Sequence, residues 1–159
     1  MVVDADALNI IAEGRVVPKP DGSRWVMTPH PAEAARLLKI SVAEVQADRF
    51  SAVRELQKKF NAVVLLKGAG TLIASADNQK IMVCPYGNPS MATAGMGDML
   101  SGIVGALLAQ GLEPSQAAQL GCCLHSAAAD LAVEERGARG LVATDIKAAL
   151  AAILNGADL

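Results

Sequence analysis

The chain has 159 residues, 52% of them hydrophobic, 19% charged and only 3% aromatic, which fits one globular domain whose core is filled by Ala, Val, Ile, Leu and Met. Its 14 basic and 16 acidic residues leave a net charge of −2, and this argues against electrostatic attraction to nucleic acid or to an anionic membrane. No apolar run approaches the ~18 residues of a membrane-crossing helix, and Met1-Val2-Val3-Asp4 has no basic segment leading into an apolar one, so no signal peptide is expected.

In chain order, Val2 to Asp4 reads as the end of a buried strand that runs into a short helix, Ala7–Glu13. Arg24–Thr28 is a second short strand. Pro31 suits a first helical position, and Ala34, Leu37 and Leu38 give that helix an apolar face. Ser41 and Glu44 have capping-box spacing and open a helical stretch that ends near Phe60. Ala62–Leu66 is a continuous apolar run, as in a strand covered on both faces. After the turn Gly68-Ala69-Gly70, Thr71–Ser75 and Lys80–Cys84 read as a hairpin around Asp77-Asn78. Pro85–Met96 is a loop. Gly97–Gln110 is a helix stopped by Gly111, Pro114–Glu135 is a long Ala-rich helix, and Thr144 caps a last one that ends at Leu154. This alternation predicts an α/β layered domain. The chain reads as a single domain over 1–159, and its start inside a strand leads us to expect an N-terminally truncated, incomplete one.

The three cysteines, Cys84, Cys122 and Cys123, make a poor disulfide framework and are expected as reduced core filler in a cytoplasmic setting. No CxxC or HxxxH spacing occurs, so no protein metal site is expected. His125, on the Ala-rich helix, reads as a packed or hydrogen-bonded core histidine. Nothing local assigns Asp130 a role.

The strongest chemical signal is the segment from Asn88 to Asp98, where a loop ends in Gly95-Met-Gly97-Asp98 and enters an apolar helix. Gly95 and Gly97 let backbone N–H groups face open space, and the helix start adds partial positive charge, which together suit phosphate oxygens. Asp98, in the first turn, can take a proton from an attacking hydroxyl. The same four residues also fit a plain turn in which Asp98 only caps the helix. Lys67-Gly68-Ala69-Gly70-Thr71 follows a buried strand; its glycines allow close backbone approach to a nucleotide, but they also fit an ordinary hairpin turn. It lacks the spacing of a P-loop. His30, between two prolines at a strand-to-helix junction, borders either a ligand crevice or open solvent. Asp4, Asp6 and Asn9 lie at a strand's carboxyl end, suited to ligand or Mg²⁺-water contacts or, for Asp6, to helix capping.

Thr93-Ala-Gly-Met-Gly-Asp98 with its Gly-punctuated helix resembles the signature of the ribokinase-like superfamily. Asp4-Ala-Asp-Ala-Leu-Asn9, Thr28-Pro-His-Pro-Ala-Glu33 and Lys67-Gly-Ala-Gly-Thr71, in that order and spacing, are similar to the NAD(P)H-hydrate dehydratases over nearly the whole chain. The chain departs from that pattern at Ala32, where the family usually has Gly, and in lacking further N-terminal strands. The resemblance implies a three-layer α/β/α ribokinase-like fold and nucleotide-dependent dehydration of hydrated NADH or NADPH. It implies ADP, or alternatively ATP, as co-substrate with Mg²⁺. It implies that Asp98 activates the substrate hydroxyl, that His30 and Asn9 help place the substrate, and that Lys67, Gly68, Ala69, Gly70, Thr71, Gly95 and Gly97 contact the nucleotide. Symmetric homo-oligomers and a fused or partner epimerase domain are further expectations. Two alternatives stand beside this: a small-molecule kinase of the hydroxymethylpyrimidine or hydroxyethylthiazole type, and a fragment that binds nucleotide without turnover.

Overall fold

The aliphatic runs assemble into one five-stranded sheet in the computed structural model, which describes residues 1–16 and 24–156. Strands β1 (Val2–Val3), β2 (Val26–Met27) and β3 (Val63–Leu66) are parallel; β4 (Leu72–Ala74) and β5 (Met82–Val83) run back antiparallel, in the order β1-β2-β3-β4-β5. Side chains alternate across a strand, and both faces of β3 are buried. Val64 and Leu66 join the cluster beneath α1 (Asp6–Ala12), α2 (Pro31–Leu38), α3 (Val42–Ala47) and α4 (Arg49–Phe60), with Leu8, Leu37, Val53 and Leu56. Val63 and Leu65 join the opposite cluster beneath α5 (Met96–Ala109) and α6 (Pro114–Arg136), with Leu100, Val104 and Cys122. The result is the expected three-layer α/β/α arrangement. A third cluster, away from the sheet, packs α7 (Ile146–Leu154) on α6 through Ala128, Ala132 and Ile146. Leu65 is fully buried; its truncation to Ala removes apolar contact and leaves a cavity worth about 2–5 kcal/mol.

Several boundaries differ from the sequence expectation for local reasons. The stretch from Ser41 to Phe60 is two helices. Ser41 and Glu44 form the expected capping box on α3, but Asp48 (φ −144°, ψ 82°) ends that helix and caps the next. Its carboxylate accepts from the Ser51 amide at 2.9 Å and the Ser51 hydroxyl at 2.7 Å, a local bond that competes with helix continuation. Asp6 does not cap α1; Ala5 occupies that position with φ 49° and ψ −119°, a strained conformation that turns the chain sharply out of β1. Thr144 does not cap α7 either. It lies in a 3-10 turn, Ala143–Asp145, closed by Asp145, which accepts from the Val142 amide at 3.0 Å. The loop before α5 holds another 3-10 turn, Pro89–Met91, and α5 begins at Met96 because Gly95 (φ 84°) takes the left-handed N-cap position.

Candidate active site

Parallel β1, β2 and β3 end at the same side of the sheet, and the residues just beyond them meet there, as expected of a crevice at strand carboxyl ends. The centre is Lys67. Its Nζ lies 3.1 Å from Asp4 Oδ1 and 3.8 Å from Glu33 Oε2. The Ser101 hydroxyl, from the second turn of α5, donates to Asp4 Oδ2 at 2.7 Å. Burial pushes the Asp4 carboxyl up, but the Ser101 hydrogen bond and the Lys67 ammonium outweigh it and hold it below the ordinary carboxylate range. Gly97 closes the cluster from above: a methyl group on its Cα would stand 3.4 Å from Lys67 Nζ and 3.9 Å from Asp4 Oδ2.

The structure thus brings Lys67, Gly97 and Asp4, all singled out in the sequence, together with Glu33 and Ser101. Asp98 follows Gly97 in the first turn of α5 and is exposed. The first-turn amides of Gly97 and Asp98 have no carbonyl four residues back inside the helix. Gly68–Gly70 is held from beneath by Arg49 of α4, which donates to the carbonyls of Ala69 at 2.6 Å and Leu66 at 3.3 Å. Thr71 donates into its own turn, to the Gly68 carbonyl at 3.1 Å. His30 is the N-cap of α2. Its Nδ1 accepts from the Ala32 and Glu33 amides at 3.1 and 3.4 Å, while Glu33 accepts from the His30 amide at 2.7 Å. The neutral ring therefore carries its proton on Nε2, 3.6 Å from Glu33 Oε1. Asn9 stands apart, accepting from Arg36 at 3.0 Å. It lines an open cavity of about 670 Å³ along α1 with Asp6, Ile10, Glu13 and Arg36.

The loop into α5 is anchored from α6. Asp130 accepts from the Gly87 amide at 2.8 Å and from the Asn88 side chain at 2.7 Å, so the residue without local signal is the loop's clamp. One turn earlier, Ser126 Cβ lies 3.6 Å from where a Gly87 Cβ would stand. One turn earlier again, Cys122 shares a buried cluster with Cys84, and the nearness of the two thiols holds Cys84 below the usual thiol range and pushes Cys122 up. Cys84 and Cys122 are buried, as expected of core filler. His125 is 5% exposed, as expected of a packed core histidine, and burial lowers its pKa to about 4 against the opposing effect of the Met96 backbone. Its Nε2 has no hydrogen-bond partner among the described residues.

Glu33, Ser101, Arg49 and Asp130 were not singled out as site residues from sequence. For Glu33 a signal existed, since His30-x-x-Glu33 has capping-box spacing. For the others the partners lie 17 to 97 residues away, beyond any local pattern.

Comparison with known proteins agrees with this geometry. The family model described as NAD(P)H-hydrate dehydratase matches residues 1–152. A bifunctional NAD(P)H-hydrate repair enzyme from Coxiella burnetii is 53% identical over 154 residues, which cover 97% of this chain and 30% of that protein. An ADP-dependent (S)-NAD(P)H-hydrate dehydratase from Neisseria meningitidis is 52% identical, covering 92% of this chain and 50% of its own length. Among solved structures, the Bacillus subtilis ADP/ATP-dependent NAD(P)H-hydrate dehydratase co-crystallised with ATP/Mg²⁺ superposes with a TM-score of 0.85 at 32% identity, over 97% of this chain and 55% of that one. The chain therefore spans between about a third and a half of the curated relatives it matches. With its parallel strands, its glycine turns and Lys67 between them accounted for, the chain belongs to the NAD(P)H-hydrate dehydratase family and has its ribokinase-like fold.

Proposed function

We infer that this chain supplies the nucleotide and catalytic half of an enzyme that restores hydrated NADH or NADPH, with ADP giving AMP and phosphate and ATP as the alternative donor. The observation that carries the reading is the meeting of Lys67 with the first turn of α5 beside Asp98, in a chain of this family.

The ring hydroxyl of the hydrate is a poor leaving group. Asp98 takes its proton as the hydroxyl oxygen attacks the terminal phosphorus of the nucleotide and the bond to the leaving nucleotide breaks. The amides of Gly97 and Asp98 and the positive end of α5 face the charge on the transferring group. The phosphorylated ring then expels phosphate and loses a ring proton, which restores the double bond. Lys67 to Thr71 hold the nucleotide, and His30 and Asn9 help place the substrate.

Mg²⁺ neutralises phosphate charge in such reactions. Among the described residues no group of three His, Cys, Asp or Glu side chains could hold a metal ion, and Asp4 and Glu33 already share Lys67. A Mg²⁺ ion fits here as part of the nucleotide complex, so the steps above rest on the chain's own groups. As family expectations, the whole protein is a homo-oligomer, works in the cytoplasm and carries an epimerase domain; the bifunctional name of the Coxiella relative supports the last.

The test is to incubate hydrated NADH with Mg²⁺ and ADP, with ATP in parallel, and to follow the reduced-nicotinamide absorbance. Nucleotide-dependent recovery supports the reading and names the donor. A stable phosphorylated product without recovery would make this a kinase instead.

A further inference from the structure

We propose that Ser101 and Asp4 are positioning residues for nucleotide binding: Ser101 fixes the Asp4 carboxylate, and Asp4 holds the Lys67 ammonium under Gly97, where it faces an incoming phosphoryl group. This rests on the nucleotide reading above and extends it to two residues that need touch no ligand.

The geometry is that of a relay. The Asp4 carboxylate accepts through Oδ2 from the Ser101 hydroxyl at 2.7 Å and through Oδ1 from Lys67 at 3.1 Å, with the Thr28 side chain beside it. A lysine ammonium is a point charge on a flexible stem, so its direction must come from its neighbours. Here two carboxylates compete for it. Glu33, 5% exposed and tied to the cap of α2, lies on one side at 3.8 Å, and Asp4 on the other at 3.1 Å. The shorter contact keeps Lys67 toward α5. The ammonium lies against the start of α5: a Cβ at Gly97 would be in van der Waals contact with it, 3.4 Å from Nζ. Ser101 is the link that ties Asp4 to the same helix whose N-terminus meets the phosphate, so the cation and the helix end are set by one rigid element. If the Ser101 hydroxyl is removed, Asp4 loses a charge-assisted bond of the stronger class, its carboxylate is free to rotate, and Lys67 can swing toward Glu33.

The experiment compares the parent chain with Ser101→Ala and Ser101→Thr by titration calorimetry, using Mg·ADP and, as a ligand without phosphate, adenosine. Alanine favours a helix, and urea unfolding of each variant checks the fold. The expected result is a loss of Mg·ADP affinity of about fivefold or more in Ser101→Ala, recovery to about twofold of the parent in Ser101→Thr, and unchanged adenosine affinity. Equal Mg·ADP affinity in folded Ser101→Ala, or equal losses for Mg·ADP and adenosine, overturns the proposal alone. A parent chain that binds no Mg·ADP overturns it together with the nucleotide reading. Binding that responds as expected, in a protein that never restores hydrated NADH, leaves the relay standing and removes the dehydratase reading.

Discussion

The two glycine turns at the site are built in opposite ways. In Lys67–Thr71 the carbonyls and the cation are committed within the protein: Arg49 takes the Ala69 carbonyl and that of Leu66 just before the turn, Thr71 takes that of Gly68, and Lys67 is shared by two carboxylates. In Thr93–Asp98 the anchors lie before the turn, through Asp130 at Gly87 and Asn88, with the buried His125 ring near the Met96 backbone, while Asp98 is exposed and the amides beside it have no intrahelical acceptor. A satisfied turn defines a shape, and an open one keeps groups available for chemistry. The first should therefore govern stability and nucleotide affinity, and the second should govern turnover.

The largest effect belongs to the open turn. Asp98→Asn should reduce turnover of the hydrate by about 10²–10⁴-fold and leave the unfolding midpoint unchanged, because no side-chain hydrogen bond to Asp98 exists among the described residues to be lost. Near-normal turnover in a folded variant would remove Asp98 from the proposed role.

The base of the same turn should respond to pH. The His125 pKa is lowered from 6.5 to about 4, so the unfolded chain binds a proton that the buried ring refuses. Its contribution is fully present above the ordinary histidine range and is lost as pH falls from 6.5 towards 4, by up to about 3 kcal/mol. Urea midpoints through that window should fall in the parent and fall less in His125→Gln. Parallel slopes would mean that the ring is not the group responsible.

In the satisfied turn, Gly68→Ala is expected to act on shape. Gly68 has φ 148°, and a Cβ there would lie 2.9 Å from an Arg49 terminal nitrogen. The guanidinium must shift and give up part of its hold on Ala69 and Leu66. A loss of about 1–3 kcal/mol in stability with weaker ADP binding is the expected pattern; weaker turnover at saturating ADP would blur the distinction between the turns.

The smallest effect sharpens the picture at the loop's entry. Cys84 and Cys122 are 1% and 2% exposed, so iodoacetamide should label the native protein at Cys123 alone and reach all three thiols in urea, as mass spectrometry would show. Rapid native labelling of Cys84 would mean that β5 parts from α6.

Much of this was legible in sequence because it is local. The capping box at Ser41 and Glu44, the buried run of β3 and the Gly-x-Gly-Asp entry to α5 each depend on residues within a few positions. Asp48 shows where locality misleads: a good N-cap in mid-stretch divides one expected helix into two. The relay from Ser101 through Asp4 to Lys67 was hidden for the opposite reason. Its members lie on three elements, 63 and 97 residues apart, and only the parallel strand order brings their ends together.

One further property follows from α6. Cys122, Ser126 and Asp130 are four residues apart, so they form a stripe with steps of about 6 Å, and they meet the loop in its own order at Cys84, Gly87 and Asn88. The helix acts as a ruler against which the loop is indexed. A substitution along the stripe erases one mark, whereas a single inserted residue between Ser126 and Asp130 would turn every later mark by about 100° and shift where the loop delivers Asp98. In this segment spacing is therefore as informative as residue identity, and insertions or deletions in α6 should be far less tolerated than substitutions on its exposed face.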